Sequence, residues 1–194
     1  MAVAPVESTR ERLIAAAIEV FVDQGYEQAR VQDIARTAGL TTGAIYANYR
    51  GKADLLSDAI NARTAAEVDA LLHDQTHGSR ELLEALGDSL LRRRDAAPAL
   101  LLDAIAAARR DDDLAATLRD RLGSREHALA DLTDAAKRNG TIDDDIDTPT
   151  FARFCTMLAM GALVMRTLDT DPPDRDEWHT LLGRLLDAVS PKEK

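Results

Sequence analysis

The sequence predicts an all-α chain. Stretches of Ala, Leu, Arg, Asp and Glu run through its 194 residues, and only 4% of the residues are aromatic. Apolar residues recur at spacings of three and four, and no alternating run bounded by Gly or Pro reads as a strand. About nine helices are expected, as an N-terminal three-helix domain followed by a C-terminal helical bundle. This length holds one large domain or a small one fused to a medium one, and either can bury a real core.

Residues 1–7 read as a disordered tail, after which Ser8 or Thr9 can cap a first helix. Leu13, Ala16, Ala17, Val20 and Phe21 form its apolar stripe, Gly25 stops it, and Tyr26 is expected to pack back. Gln32–Ala38 can form a short second helix with Val31, Ile34, Ala35 and Ala38 at helical spacing. Gly39 then supplies the positive φ that a tight reversal needs. Thr41 can cap a third helix through Ala44, Ile45 and Asn48. Together these helices are expected to bury Leu13, Ala17, Phe21, Ile34, Ala38, Leu40, Ile45 and Tyr49.

Gly51 breaks the chain again, and Lys52 opens a long helix through Leu55, Leu56, Ile60 and Ala66 to about Leu72. The polar run His73–Ser79 reads as a turn. Arg80–Arg94 follows as a helix with Leu82, Leu83, Leu86, Leu90 and Leu91 on one face, Arg92–Arg94 being its charged end. Pro98, early in the next helix, leads to Leu101, Leu102, Ile105 and Ala108. Asp111–Asp113 suits the start of a helix that reaches the stop signal Asn139-Gly140, with a break near Gly123. The acidic loop Asp143–Asp147 precedes Thr148-Pro149, a cap and a first-turn proline. Phe151–Leu168 is the most apolar helix, and Arg175–Val189 is the last.

The second and third helices with their glycine turn make a helix-turn-helix unit, whose second member fits the major groove of DNA. Thr41 and Thr42, at the N-terminus of that reader helix, favour a phosphate oxygen, and the Tyr46 phenol one turn on can donate to another. Gln32, Thr42, Ala44 and Asn48 are the candidates to approach base edges: an amide can bond adenine twice, and a methyl group can meet that of thymine.

The run GYEQARVQDIARTAGLTTGAIYANYRGKADLL, Gly25–Leu56, resembles the DNA-binding domain of TetR-family (TetR/AcrR type) regulators. That pattern reads Gly-Tyr/Phe, Asp-Ile-Ala, Ala-Gly-Val/Leu, Gly-x-Ile/Leu-Tyr, aromatic, Lys, Leu-Leu. Ala29, Asn48, Tyr49 and Gly51 depart from the residues usual at their positions, and Asn48 makes groove contacts harder to carry over. The resemblance implies phosphate contacts at Tyr46 and Lys52, with Tyr49 packed inside the small domain. It implies a DNA-binding domain at residues 8–56, extending into a linking helix to about 68, and a ligand-binding and dimerisation domain at 57–190. The implied protein is a transcriptional regulator, most simply a repressor, that binds a palindromic operator in double-stranded DNA as a homodimer and is released by a small-molecule effector. An activator or a ligand-independent regulator would carry the same sequence features.

Phe151, Phe154, Cys155, Leu158, Gly161, Ala162 and Met165 make one helical stripe, and Leu181, Leu182, Leu185, Leu186 and Val189 make a second. Family members pair their last two helices into a four-helix bundle, which implies a homodimer interface here. Two readers about 34 Å apart along one DNA face would then match a palindrome. Leu90, Leu101, Ile105, His127, Met157 and Leu158 are candidates for the wall of an effector pocket by position and apolarity.

Charge is segregated. Residues 1–56 carry six Lys/Arg and seven Asp/Glu, whereas 57–194 carry 18 and 27, so −9 of the net −10 belongs to the C-terminal part. That balance argues against indiscriminate nucleic-acid binding but leaves room for contact through a small face. Cys155 is alone, so no intrachain disulfide and no cysteine-based zinc set can form. His73 and His77 lack completing ligands. Asp143, Asp145 and Asp147 lack the Gly and Glu of a calcium loop. No cofactor or metal is expected. No Gly-x-Ser-x-Gly elbow, phosphate-binding glycine loop or His-Glu-x-x-His set argues for an enzyme. With no signal segment and no apolar run near ~18 residues, the chain is expected to be cytoplasmic and not membrane-bound.

Overall fold

Ser8 starts the first helix by a reciprocal cap: its Oγ accepts from Glu11 N–H at 3.2 Å, and the Glu11 carboxylate accepts from Ser8 N–H at 2.7 Å. In the computed structural model, which describes residues 8–60, 62, 78–91 and 97–191, every assigned element is a helix. They are α1 (Thr9–Gln28), α2 (Val31–Thr37), α3 (Thr42–Asn48), α4 (described over 52–60), α5 (Ser79–Ser89), α6 (Ala97–Ala107), α7 (Asp112–Arg138), α8 (Thr148–Thr167) and α9 (Arg175–Val189). The all-α prediction holds across the described residues.

The chain divides into two compact units, Met1–Thr64 with Ala99–Arg121, and Ala65–Pro98 with Leu122–Lys194. In the first, α1, α2 and α3 pack on one another. Leu13, Phe21, Ile34, Ile45, Leu55 and Leu56 are all fully buried. A seven-residue helix does not persist alone in water. Burying these side chains, at about 1.5–3 kcal/mol each, is what holds α2 and α3 in place. Of the eight core residues expected from sequence, seven are buried and Leu40 packs half-buried against them. Leu100, Ala104, Ala107 and Leu114 from α6 and α7 complete the same core, an addition that the linear order of the chain does not announce.

The second unit is built on Leu82, Leu83, Leu132, Ala136, Ile142 and Leu186, with Leu86, Ile146, Phe151, Leu182 and Val189 against them. α5 and α9 are tied by Arg80 to Asp187 at 2.8 Å and by His179 Nε2 to Asp88 at 2.8 Å. The Asp143 N–H donates to the Val189 carbonyl at 2.8 Å, and Ser190 Oγ donates to that of Thr141 at 2.9 Å.

The stops at Gly25, Gly39 and Gly140 all carry positive φ. Gly25, at φ 73°, breaks the helical path inside α1, and Tyr26 turns back into the core beside Phe21, ring centroids 6.0 Å apart. Three expectations need correction. α7 runs unbroken through Gly123, because neighbouring turns on both sides carry enough helix formers to absorb one glycine. Asp147, not Thr148, caps α8: its Oδ1 accepts from Thr150 N–H at 3.1 Å, while Thr148 Oγ1 donates to Asp134 at 2.6 Å. α5 ends at Ser89, short of Arg94. The proposed turn at His73–Ser79 and the run Arg92–Arg94 fall largely or wholly outside the described residues.

Candidate nucleic-acid interface

α3 is short because the chain is capped at one end and turned at the other. Thr41 Oγ1 accepts from Ala44 N–H at 3.3 Å, and the Tyr49 N–H closes on the Ile45 carbonyl at 2.8 Å before the backbone leaves the helix. Its inner face is anchored by Ile45, fully buried, and by Tyr49 just beyond. The opposite face carries Thr41, Gly43, Tyr46, Ala47 and Asn48, all exposed, with Tyr46 62% accessible. Thr42 and Ala44 are half-buried at its edge, and Gln32 is exposed on α2.

Geometry refines two of the candidates. Asn48 Nδ2 donates to the Ala44 carbonyl at 2.8 Å, so in the free protein its Oδ1, an acceptor, is the atom presented outward. Lys52 differs more from expectation. Its ammonium donates to the carbonyls of Tyr26 at 2.7 Å, Ala29 at 3.2 Å and Glu27 at 3.4 Å, and sits 4.2 Å from the centre of the Tyr26 ring. An ammonium has three donors, and all three are engaged within the fold. Burial holds Lys52 below the ordinary lysine value, against the opposing pull of Asp111 and Glu27. Its place is that of a clip between the α1–α2 loop and the start of α4.

Arg12 was not singled out in the sequence. Its Nη2 donates to the Ala38 carbonyl at 2.7 Å, at the C-terminal end of α2 where a cation also suits the helix dipole. A Cβ on Gly39 would stand 3.3 Å from that same nitrogen, so the turn needs glycine for its φ of 63° and for room. Nothing local in the sequence signals this contact, because it joins residues 26 apart. Arg10, Arg36 and Arg50 are paired with Asp58, Asp33 and Asp54, each at 2.6–3.0 Å. These pairs lie at the surface and exchange readily for other anions.

Residues 13–59 match the family described as bacterial regulatory proteins, tetR family. That N-terminal segment is of the tetR family of bacterial regulatory proteins. It is similar to the HTH-type transcriptional regulator SrpR of Pseudomonas putida, 47% identical over 60 residues that cover 31% of this chain and 28% of that one. A second similar protein is the uncharacterized HTH-type transcriptional regulator Rv2912c of Mycobacterium tuberculosis, 26% identical with 94% of each chain covered. The fold of a TetR-family regulator from Rhodococcus sp. superposes with a TM-score of 0.76 at 19% identity, over 94% of this chain and 98% of that one. These names describe DNA-binding regulators, not enzymes. The exposed face of α3 lies within the matched segment.

The other candidates are distributed differently from expectation. Leu186 is buried, and Phe151, Leu182 and Val189 pack against the second unit's core, so these four belong to its interior. The register of α9 turns that stripe toward α5. Phe154, Leu158, Gly161, Met165 and Leu185 lie on the exposed side, and Ala162 is half-buried. Of the pocket candidates, Leu101 and Ile105 fall in the first unit, while Leu90, His127, Met157 and Leu158 fall in the second. Met157 is 60% exposed, and the exposed His127 holds the Gly123 carbonyl 2.7 Å from its Nδ1, so neither lines an interior wall of its own unit. Burial pushes the Cys155 thiol up to about 11, which keeps it protonated and unreactive at neutral pH. α8, contrary to expectation, is long and apolar enough to span a membrane by length and composition alone, although Arg153 within it pairs with Glu126 of α7 at 2.6 Å.

Proposed function

We propose that this TetR-family regulator is a cytoplasmic repressor that binds a palindromic operator as a homodimer and is released by a small molecule. The observation that carries the reading is α3, buried on one face by Ile45 and bare on the other, with Thr41, Tyr46 and Asn48 projecting from a platform fixed by six fully buried side chains. Thr41, Thr42 and Tyr46 position the protein on phosphates, and Gln32, Ala44 and Asn48 meet base edges. The pairing surface is supported by a run of exposed apolar residues on α8, Phe154, Met157, Leu158 and Met165, with Leu168 just past its end, alongside Leu181 and Leu185 on α9. An apolar stripe of that length is costly to leave in water. Pairing through it gives two readers, and a bound effector that favours a state with wrongly spaced readers lowers operator affinity by its differential affinity for the two states.

The test is a titration of the purified protein against the DNA immediately upstream of its own gene, at two salt concentrations and with excess competitor DNA. Saturable binding at two chains per palindrome, surviving moderate salt, is the expected result. Binding lost equally to competitor, from a protein that sediments as a monomer, would overturn the reading.

A further inference from the structure

We propose that Asp111 and Tyr26 are positioning residues for operator binding, joining the start of α7 to the loop and helix end that flank the reader helix. The inference rests on the operator-binding reading above. Asp111 spends its two carboxylate oxygens in different directions. Oδ1 accepts from the Leu114 N–H at 2.9 Å and so caps α7; Oδ2 accepts from the Tyr26 hydroxyl at 2.9 Å, across 85 residues of sequence. Tyr26 is only 5% exposed, and burial first, then Asp111, hold its pKa well above the ordinary phenol value, so it is a neutral donor at every working pH.

From Tyr26 the link continues through Lys52, which lies over the ring and donates to the carbonyls of Tyr26 and Ala29. Ala29 is two residues from the start of α2, and Lys52 opens α4 four residues after α3 ends. The chain therefore enters the helix-turn-helix at one end of this link and leaves it at the other. Arg110 to Glu27 at 3.1 Å runs parallel, but it is exposed at both partners and contributes little. All of these groups lie in the first unit, while α7 itself continues past Arg121. A shift of the start of α7 acts on Asp111 directly, and the Tyr26 phenol is the hydrogen bond that carries it toward the reader, beside the packing of Leu114 in the shared core.

Two substitutions in the full-length protein separate this link from general packing. Tyr26→Phe removes the hydroxyl and leaves the ring beneath Lys52. Asp111→Ser keeps a good helix cap and is too short to reach Tyr26. Each is expected to weaken binding to the upstream operator DNA by roughly tenfold, and the double variant no further than either single one, since both break one bond. Salt dependence should stay as in the unsubstituted protein, and amide exchange across residues 42–49 should quicken. Operator affinities within twofold of the parent, with exchange across 42–49 unchanged, would overturn the proposal, as would fully additive losses. Should the parent bind no specific DNA, the operator reading fails, while the exchange rates still decide whether Tyr26 and Asp111 order the reader.

Discussion

Replacing Lys52 with Met keeps the aliphatic stem and removes the ammonium. Three backbone carbonyls, those of Tyr26, Ala29 and Glu27, then lose their donor at once. A hydrogen bond from a charged group contributes roughly 1.5–3 kcal/mol, but Lys52 is only half-buried and its charge is itself costly to desolvate, so a net loss of about 2 kcal/mol is expected. For a chain of this size that lowers the midpoint of thermal unfolding by roughly 4–8 °C. The sequence pattern points the other way, to a phosphate contact, and the two roles separate in one assay. Each phosphate contact adds about 0.9 to the slope of log affinity against log salt. Measured well below the unfolding midpoint, Lys52→Met should leave that slope unchanged while stability falls. A slope reduced by about one with the midpoint intact would refute the clip and restore Lys52 to the phosphate contacts.

Three further outcomes follow from the same structure. Met165→Glu and Leu185→Glu place charges on residues already exposed, 53% and 47% accessible, so the fold of each unit should persist while sedimentation shows monomers and operator affinity collapses; dimers of unaltered strength would remove this surface from the interface. Gly123→Ala, mid-helix with open space where a Cβ would sit, should stabilise the protein by about 0.5–1 kcal/mol in urea unfolding. Asp111, Asp147 and Glu11 have carboxyl pKa values lowered in the folded state, first by the Leu114 N–H, the Thr150 hydroxyl and the Ser8 N–H respectively. Their contribution is therefore complete above the unfolded value of about 4 and is lost as pH falls through the folded values. The urea midpoint should hold from pH 7 to about 5 and drop below 4, and Asp111→Ala should flatten that drop.

What the sequence made legible was whatever is decided locally. Glycine at a reversal, a hydroxyl or carboxylate ahead of a helix, and apolar residues at helical spacing placed the start of α1 and both ends of α2, α3 and α9 within a residue or two. The exposed face of α3 followed, because Ile45 inward implies Tyr46 and Asn48 outward on so short a helix. What stayed hidden depends on partners remote in sequence. Lys52 looks like a cation awaiting phosphate until the three carbonyls around it are seen. Leu182, Leu186 and Val189 form as good a stripe as any interface, and only α5, nearly a hundred residues earlier, shows that they face inward. The same holds for α6, whose apolar residues say that it is buried but not against what.

The core completed by Leu100, Ala104, Ala107 and Leu114 has a consequence for how this protein is made. Leu55, Leu56, Ala59 and Ile60 stand ready early, yet their covering helices emerge only after dozens of intervening residues. At about 5–20 residues per second, the 57 residues from Thr64 to Arg121 take roughly 3–11 s to synthesise. During that interval a nascent chain carries an open apolar seam beside a nearly formed reader, exposed to chaperones and to neighbouring chains on the same message. A truncated product ending near residue 64 would keep that seam permanently, and the cell would be expected to degrade it before it could occupy an operator.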